Sequence, residues 1–542
     1  MLNAESNVDV RSKKKGEFVY STMKIGEFPH KDTYVLDKNG AKVYDAYEGF
    51  EVLTVDPVTG ESSYQPITKF TVEDDCHTVK VKFSSSREVI MSDNESLAVF
   101  DPKTGTMAKV TPYDHNGRLI PIAPYRAGSD SGNATVPSRI GWWIGAMLSD
   151  GWVCDRYIGY AKEEKSKRDL FVEIARELHQ NFNCEEYEGD VEDGKLGHAV
   201  KLHLYNSEFA RAVSKLGLYN EDAKLSDENP GRSCLYKQIP QAMLDSGSEE
   251  FLWGLLSGLV DGDGSISVNT SVNKLRVYVK FQTSSKTLRD SVFSLLYRLG
   301  IRYSYTVCPP RGHSREAYVI TLSCVDAYNN LDKLSCVGKA ETEAIALWKE
   351  QEAPKEQSDI VPISDEEWNV LKAVASHKAA PGLYSAITQH RYAIRSGYYK
   401  FIDFIKEHIP TLYKRLESRT MWCRVSEIED AGNRQVFDFE VPETKLFAVN
   451  NGLVIYDSMT THVPVSNEAV EAINRNMLPS RNLLNPRDFT AHFIPRSEFA
   501  QGLYLASRVD DKQRPVRFRT EEEAVAAYKR GDIKVDTPVE IG

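Results

Sequence analysis

The chain has 542 residues, 27% of them charged and 41% hydrophobic, with a formal net charge of −11. That length exceeds one hydrophobic core and points to roughly three or four folding units. The charge excludes general attraction to polyanions, so any nucleic-acid site is a local patch. Eight cysteines without a CxxC pair or matching histidines exclude a zinc site and a secreted disulfide framework, and no apolar run approaches the ~18 residues of a membrane span. The reading is a cytoplasmic, non-membrane protein.

In chain order, MLNAESNVDVRSKKK at the start carries a basic run with no apolar segment behind it. From about residue 33 to 125, TYVLDKNG, EVLTVDPVTG, HTVKVKF and REVIMSDNESLAVFDPKTG alternate apolar and polar residues between turn signals, which predicts short strands. RAGSDSGNATVPSR marks a boundary, and helix and strand patterns alternate from Ile140 to about residue 349. EQEAPKEQSD reads as a linker, and residues 364–410 read as helical. Strands return in WCRVSEIED and QVFDFEVPETKLFAVNNGLVIYD, so the β-region is cut in two by an α/β insert. After Ser458 the character changes again.

Within the insert, LLSGLVDGDG (255–264) is an apolar helix ending in Asp-Gly pairs, which alone reads as a helix stop. Ile144 to Gly151 has the same design, and the strands and helices after each copy correspond, each half delivering a lysine at a similar remove: Lys237 and Lys339. Such repetition points to pseudo-twofold architecture. Gly145 and Gly258 would let the two helices meet backbone to backbone, bringing Asp150 and Asp263 together at their ends. Adjacent carboxylates repel unless divalent cations sit with them, and oxygen donors suit magnesium, whose bound water serves phosphodiester hydrolysis.

LSGLVDGDG (256–264) and WIGAMLSDG (143–151) resemble the two motifs of LAGLIDADG homing endonucleases. The resemblance implies a monomeric pair of αββαββα repeats, 136–240 and 241–349, that makes Mg²⁺-dependent double-strand cuts in host-gene DNA. It implies Asp150 and Asp263 as metal ligands, Asp261 as a structural or capping residue, and Lys237 and Lys339 as catalytic lysines. The strand LRVYVKFQTSSKTLRD resembles the family's groove-reading strand, making Lys280, Gln282, Ser284 and Lys286 DNA contacts. Residues 350–420 read as a linker and helical accessory DNA-binding module, with His390, Arg391, Arg395 and Lys400 offering phosphate contacts or simply forming a solvated face.

The flanks resemble an intein's Hint splicing domain, an all-β horseshoe with an N-terminal part at 21–135 and a C-terminal part at 421–457. The family pattern puts Ser92 and Glu95 in the block whose histidine protonates the scissile amide, here replaced by Glu95. It puts Asp438 in the penultimate block, Tyr456 and Asp457 at the closing His-Asn positions, and Ser458 as the downstream nucleophile. Lys445 stands where another histidine is usual. Ser21 is the first-residue candidate, with Tyr20 as acyl donor and residues 1–20 as leader or host remnant. SMTTHVPVSNEAVEAINRNMLPSRNLLNP, continuing to SEFAQGLYLASR, resembles the RNA polymerase β′ subunit, so 458–542 is expected to be an α+β host segment that meets other polymerase subunits. The fold expectation is therefore multidomain, a split all-β Hint domain holding an α/β endonuclease. The alternative is a β′ fragment carrying a degenerate, inactive intein.

Overall fold

The fold is known from a computed structural model, which describes the chain except for residues 15, 38–39, 95–96, 126–136, 189–199, 221–233, 270–275, 311–314, 335–345, 347–348, 351–357, 458–474, 476–514 and 535–536. The chain divides into Met1–Thr461 and His462–Gly542.

The alternating stretches form two antiparallel sheets around a shared aliphatic and aromatic core. In the first, the long strands Lys69–Phe83 and Val425–Glu440 pair along their length, from opposite sides of the insert. In the second, Leu446–Val449 and Leu453–Tyr456 slot between Asn7–Lys14 and Leu97–Asp101. The two segments are thus one interleaved domain. Ile120–Ile122, where the chain leaves it, pairs with Met421–Cys423, where the chain returns.

Residues 1–20 correct one expectation, for they belong to the fold. Leu2–Asn3 pairs with Val425–Glu440 and Glu88–Ser92, and Asn7–Lys14 lies inside the second sheet. The short alternation in LNAESNVDV is a strand pattern that the neighbouring basic run concealed. Leu2, Val8 and Val10 are buried.

The insert begins with helix Ser138–Ser149, the first motif helix, followed by strands Gly151–Val153 and Tyr157–Lys162, helix Lys165–Leu178, strands Asn183–Glu188 and Val200–Tyr205, and helix Ser207–Ser214. The same order recurs from Glu249–Asp263, the second motif helix, through Gly264–Asn269, Arg276–Thr283, Lys286–Arg298, Tyr303–Cys308, Ala317–Leu322 and Cys324–Asn330. Each half makes a four-stranded antiparallel sheet. Capping oxygens fix several helix starts: Ser248 accepts from Phe251 N and Ser285 from Leu288 N, each satisfying an otherwise orphan amide.

Residues 358–420 have their own core around Val361, Trp368, Leu371, Tyr398 and Leu412. Arg415 and Glu367 pair at 2.9 Å in its interior, and Arg415 also donates to Val58 O of the β-domain at 2.7 Å. In the second unit, described by itself, helix Glu521–Arg530 accompanies a parallel pair, Val516–Phe518 with Val539–Ile541.

Candidate functional site

The two motif helices approach so closely that side chains are excluded between them. A Cβ on Gly145 would overlap Leu255 O, and one on Gly258 would overlap Trp142 O. Gly141 and Gly254 repeat the relation one turn earlier. This close approach is what the small residues are for.

At the far ends of these helices stand Asp150, half-buried, and Asp263, exposed. Their surroundings converge. A Cβ on Gly262, beside Asp263, would come within 3.2 Å of Asp150 Oδ2. Lys162 Nζ donates to Asp150 Oδ2 at 2.5 Å and to Gly262 O at 3.2 Å, so one ammonium spans both helix ends. Lys237 is buried beneath them, its Nζ donating to Ser149 O at 2.7 Å and Gly151 O at 2.8 Å. Burial holds its pKa below the ordinary lysine value, while Asp263 and Asp150 pull it the other way. Ser285 and Thr287 hydroxyls donate to Lys237 O at 2.7 and 2.9 Å, tying this lysine to the second half.

Asp261 lies apart from that cluster. Its Oδ2 accepts from Trp142 Nε1 at 2.8 Å and its Oδ1 lies 3.5 Å from Lys167 Nζ, so it is an interior link between the halves. Lys162 was missed in the sequence because it sits on the strand after the motif, outside the repeated signature. The signal available was the hairpin register, which pairs Gly151 with Tyr160 and so returns Lys162 to the helix end. Lys339 lies outside the described residues.

A second cluster forms where the split β-domain closes. Met1 O accepts from Ser92 N at 2.9 Å, and Asp438 raises the pKa of the buried Met1 amino group against the larger lowering by burial. Asp457 follows Leu453–Tyr456 and is buried, its Oδ2 accepting from Val441 N at 3.1 Å. Burial raises the Asp457 carboxyl to about 6, with Asp438 reinforcing the rise and Lys445 and Lys109 opposing it. Ser21 is not there: it pairs with Val10 in the hairpin Asn7–Lys14/Glu17–Lys24, a peripheral position that corrects the first-residue expectation. Glu95 and Ser458 lie outside the described residues.

Residues 250–334 match the family of LAGLIDADG-like domains. Among curated proteins, the chain is 30% identical over 194 residues to the uncharacterized protein MJ1054 of Methanocaldococcus jannaschii, covering 35% of this chain and 20% of that one. It is 34% identical over 87 residues to the DNA-directed RNA polymerase subunit β′ of Bacteroides thetaiotaomicron, covering 16% of this chain and 6% of that subunit. The chain thus spans a minor part of each relative. Among solved structures, the homing endonuclease I-DmoI in complex with DNA and Ca is similar at 13% identity and a TM-score of 0.25, covering 39% of this chain and 96% of that one. The transcription factor IIB Mvu mini-intein is similar at 16% identity and a TM-score of 0.20, covering 23% and 71%.

Within the matched residues, strand Arg276–Thr283 buries Val277, Val279, Phe281 and Thr283 and leaves the alternate side chains on the open face. Lys280 and Gln282 are on that face, together with Arg276 and Tyr278, which sequence reasoning passed over although the same alternation points to them. Ser284 is half-buried and Lys286 is exposed at the start of the next helix. The helical module behaves differently. Arg395 is buried, paired with Asp359 at 3.1 Å and donating to Thr420 O at 2.7 Å, so it has no free donor face for phosphate. Arg391 pairs with Asp365, and Lys400 donates to Ala379 O at 2.7 Å, while His390 stacks on Tyr392 with ring centroids 5.3 Å apart. Burial and internal pairing correct the expectation of Arg395 as a DNA contact, while Arg391, its side chain 33% exposed, stays at the surface beside Asp365.

Proposed function

We propose that the insert is a site-specific endonuclease making Mg²⁺-dependent double-strand cuts in DNA, carried within a Hint protein-splicing domain that interrupts an RNA polymerase β′ segment. The nuclease reading rests on one observation: Asp150 and Asp263 end two glycine-packed helices at a common point, where Lys162 bridges the Asp150 carboxylate to the Gly262 carbonyl. The donor set fits a hard divalent cation, because it is made of carboxylate and carbonyl oxygens without sulfur or imidazole. When bound, Mg²⁺ supplies an activated water and stabilises charge on the phosphate. The chain's own contribution is positional. Asp150 and Asp263 would hold the ion. Lys237 braces the carbonyls on either side of Asp150, and the open faces of the two sheets would lie along the duplex with Lys280 and Gln282 directed to base edges or phosphates. Both motifs lie in one chain, so the enzyme would act as a monomer.

In this reading the αββαββα repeats occupy 136–240 and 241–349, and residues 458–542 are a host segment that meets other polymerase subunits in the cytoplasm. Plasmid carrying the uninterrupted polymerase gene, incubated with the purified chain and Mg²⁺, gives linear product. Asp263→Asn gives none yet still retards the DNA on a gel. Cutting by that variant at the full rate excludes the metal role.

A second reading, a β′ fragment with an intein that no longer splices, is favoured by the splicing centre. Asp457 stands at the closing asparagine position, where a charged carboxylate is the poorer nucleophile, and its carboxyl is held by Val441 N at 3.1 Å. It predicts the absence of ligated product alongside intact DNA cleavage.

A further inference from the structure

Where the returning strand Leu453–Tyr456 ends, one cation touches the peptide that splicing chemistry would have to break. Tyr456 turns its hydroxyl away, donating to Met107 O at 2.7 Å. Lys109, the next residue on the same face of strand Thr106–Val110, donates Nζ to Asp457 O at 3.2 Å. Asp457 is pinned on its other sides as well: its N donates to Lys445 O at 2.9 Å and its carboxylate accepts from Val441 N at 3.1 Å. A carbonyl fixed by its own amide and side chain, with an ammonium on its oxygen, is prepared for attack.

Resting on the splicing-domain reading above, we propose that Lys109 is the catalytic electrophile for cleavage of the Asp457–Ser458 peptide bond, polarising the Asp457 carbonyl while the Asp457 carboxyl attacks it. A carboxyl oxygen forms a bond to the main-chain carbonyl carbon and closes a five-membered anhydride. The C–N bond to Ser458 breaks, and the carboxyl proton goes to the departing amine. Water then opens the anhydride and restores Asp457. Lys109 stabilises the oxyanion formed on the way and is not consumed. The acid form provides both the oxygen and the proton, and burial enlarges its share near neutrality, since the carboxyl is raised to about 6. The charged groups facing it are Asp438, which favours the acid form, and Lys445 and Lys109, which oppose it.

The test uses the full chain, followed by intact mass for release of a fragment beginning at Ser458. Release from the unaltered chain quickens as pH falls from 8 to 5. Lys109→Met slows it by about 10²-fold, the size of effect seen when one oxyanion donor is removed, with Lys109→Arg restoring part of the rate. Lys109 is exposed, so thermal melting verifies that these variants fold. Asp457→Asn, able to close a succinimide through its amide nitrogen, releases the fragment faster at neutral pH and still depends on Lys109. Release indifferent to Lys109 in both backgrounds overturns the proposal while leaving the splicing-centre reading intact. Failure of Asp457→Asn to release anything overturns the splicing-centre reading itself.

Discussion

Lys167 and Asp261 form an ion pair at 3.5 Å across the two halves of the insert, with side-chain exposures of 2% and 1%. The pseudo-symmetry makes the pair informative. Gly151 faces Tyr160 in one half as Gly264 faces Phe281 in the other, so equal steps forward set Leu288 opposite Lys167, and the motif alignment sets Leu148 opposite Asp261. One diagonal of the domain is charged where the other is leucine with leucine.

Breaking that pair from one side is expected to be costly and replacing it whole is not. Asp261→Leu leaves Lys167 with only its edge contact to Glu164 and orphans Trp142 Nε1, for a loss of about 3 kcal/mol. The double variant Asp261→Leu, Lys167→Leu recovers at least half of it. Urea unfolding of the three proteins measures both, and an additive double variant contradicts the coupling.

Lys162 competes for the same carboxylate a metal would use. Lys162→Met is therefore expected to tighten Mg²⁺ binding about fivefold, equivalent to about 1 kcal/mol for a partly exposed pair. Isothermal titration with the metal alone reads this directly. Weaker binding by the variant would mean that the ammonium organises Asp150 and does not block it.

Asp457 gives the β-domain a pH signature. Its folded value of about 6 lies above the ordinary aspartate value of 3.8, so the fold favours the acid form. That stabilisation is complete below the unfolded value and is lost as pH rises through about 6. The unfolding free energy of the chain relative to Asp457→Ala is expected to fall by about 2 kcal/mol between pH 4 and pH 8. A difference that stays flat across that range removes the buried acid from the account.

Arg395 separates stability from DNA affinity. With its guanidinium paired to Asp359 and donating to interior carbonyls, Arg395→Met is expected to cost about 3 kcal/mol. DNA affinity and its salt dependence stay unchanged in gel-shift titrations, whereas Lys280→Ala weakens binding and flattens the salt slope.

The parts legible in the sequence were those whose physics is periodic. Strand alternation located the split β-domain, and the small residues of the two motifs announced a helix pair too close for side chains. The N-terminal strands were hidden because MLNAESNVDV is short and adjoins KKK, so a charge run outweighed an alternation of a few residues. Arg395 misled because a sequence displays basic residues without their partners. Asp359 and Asp365 become visible as counter-ions only after the chain folds back. Lys162 and Lys109 went unmarked for a related reason: each acts through a strand register that no local motif encodes.

The pairing of Ile120–Ile122 with Met421–Cys423 has a wider implication. Departure and return run side by side for three paired residues, so the interrupted domain closes its own gap with one short ladder. With its ends held together there, lengthening the insert adds a loop-closure term that increases only with the logarithm of loop length, beside the contacts it makes with the β-domain, such as Tyr297 to Ala123 O and Arg415 to Val58 O.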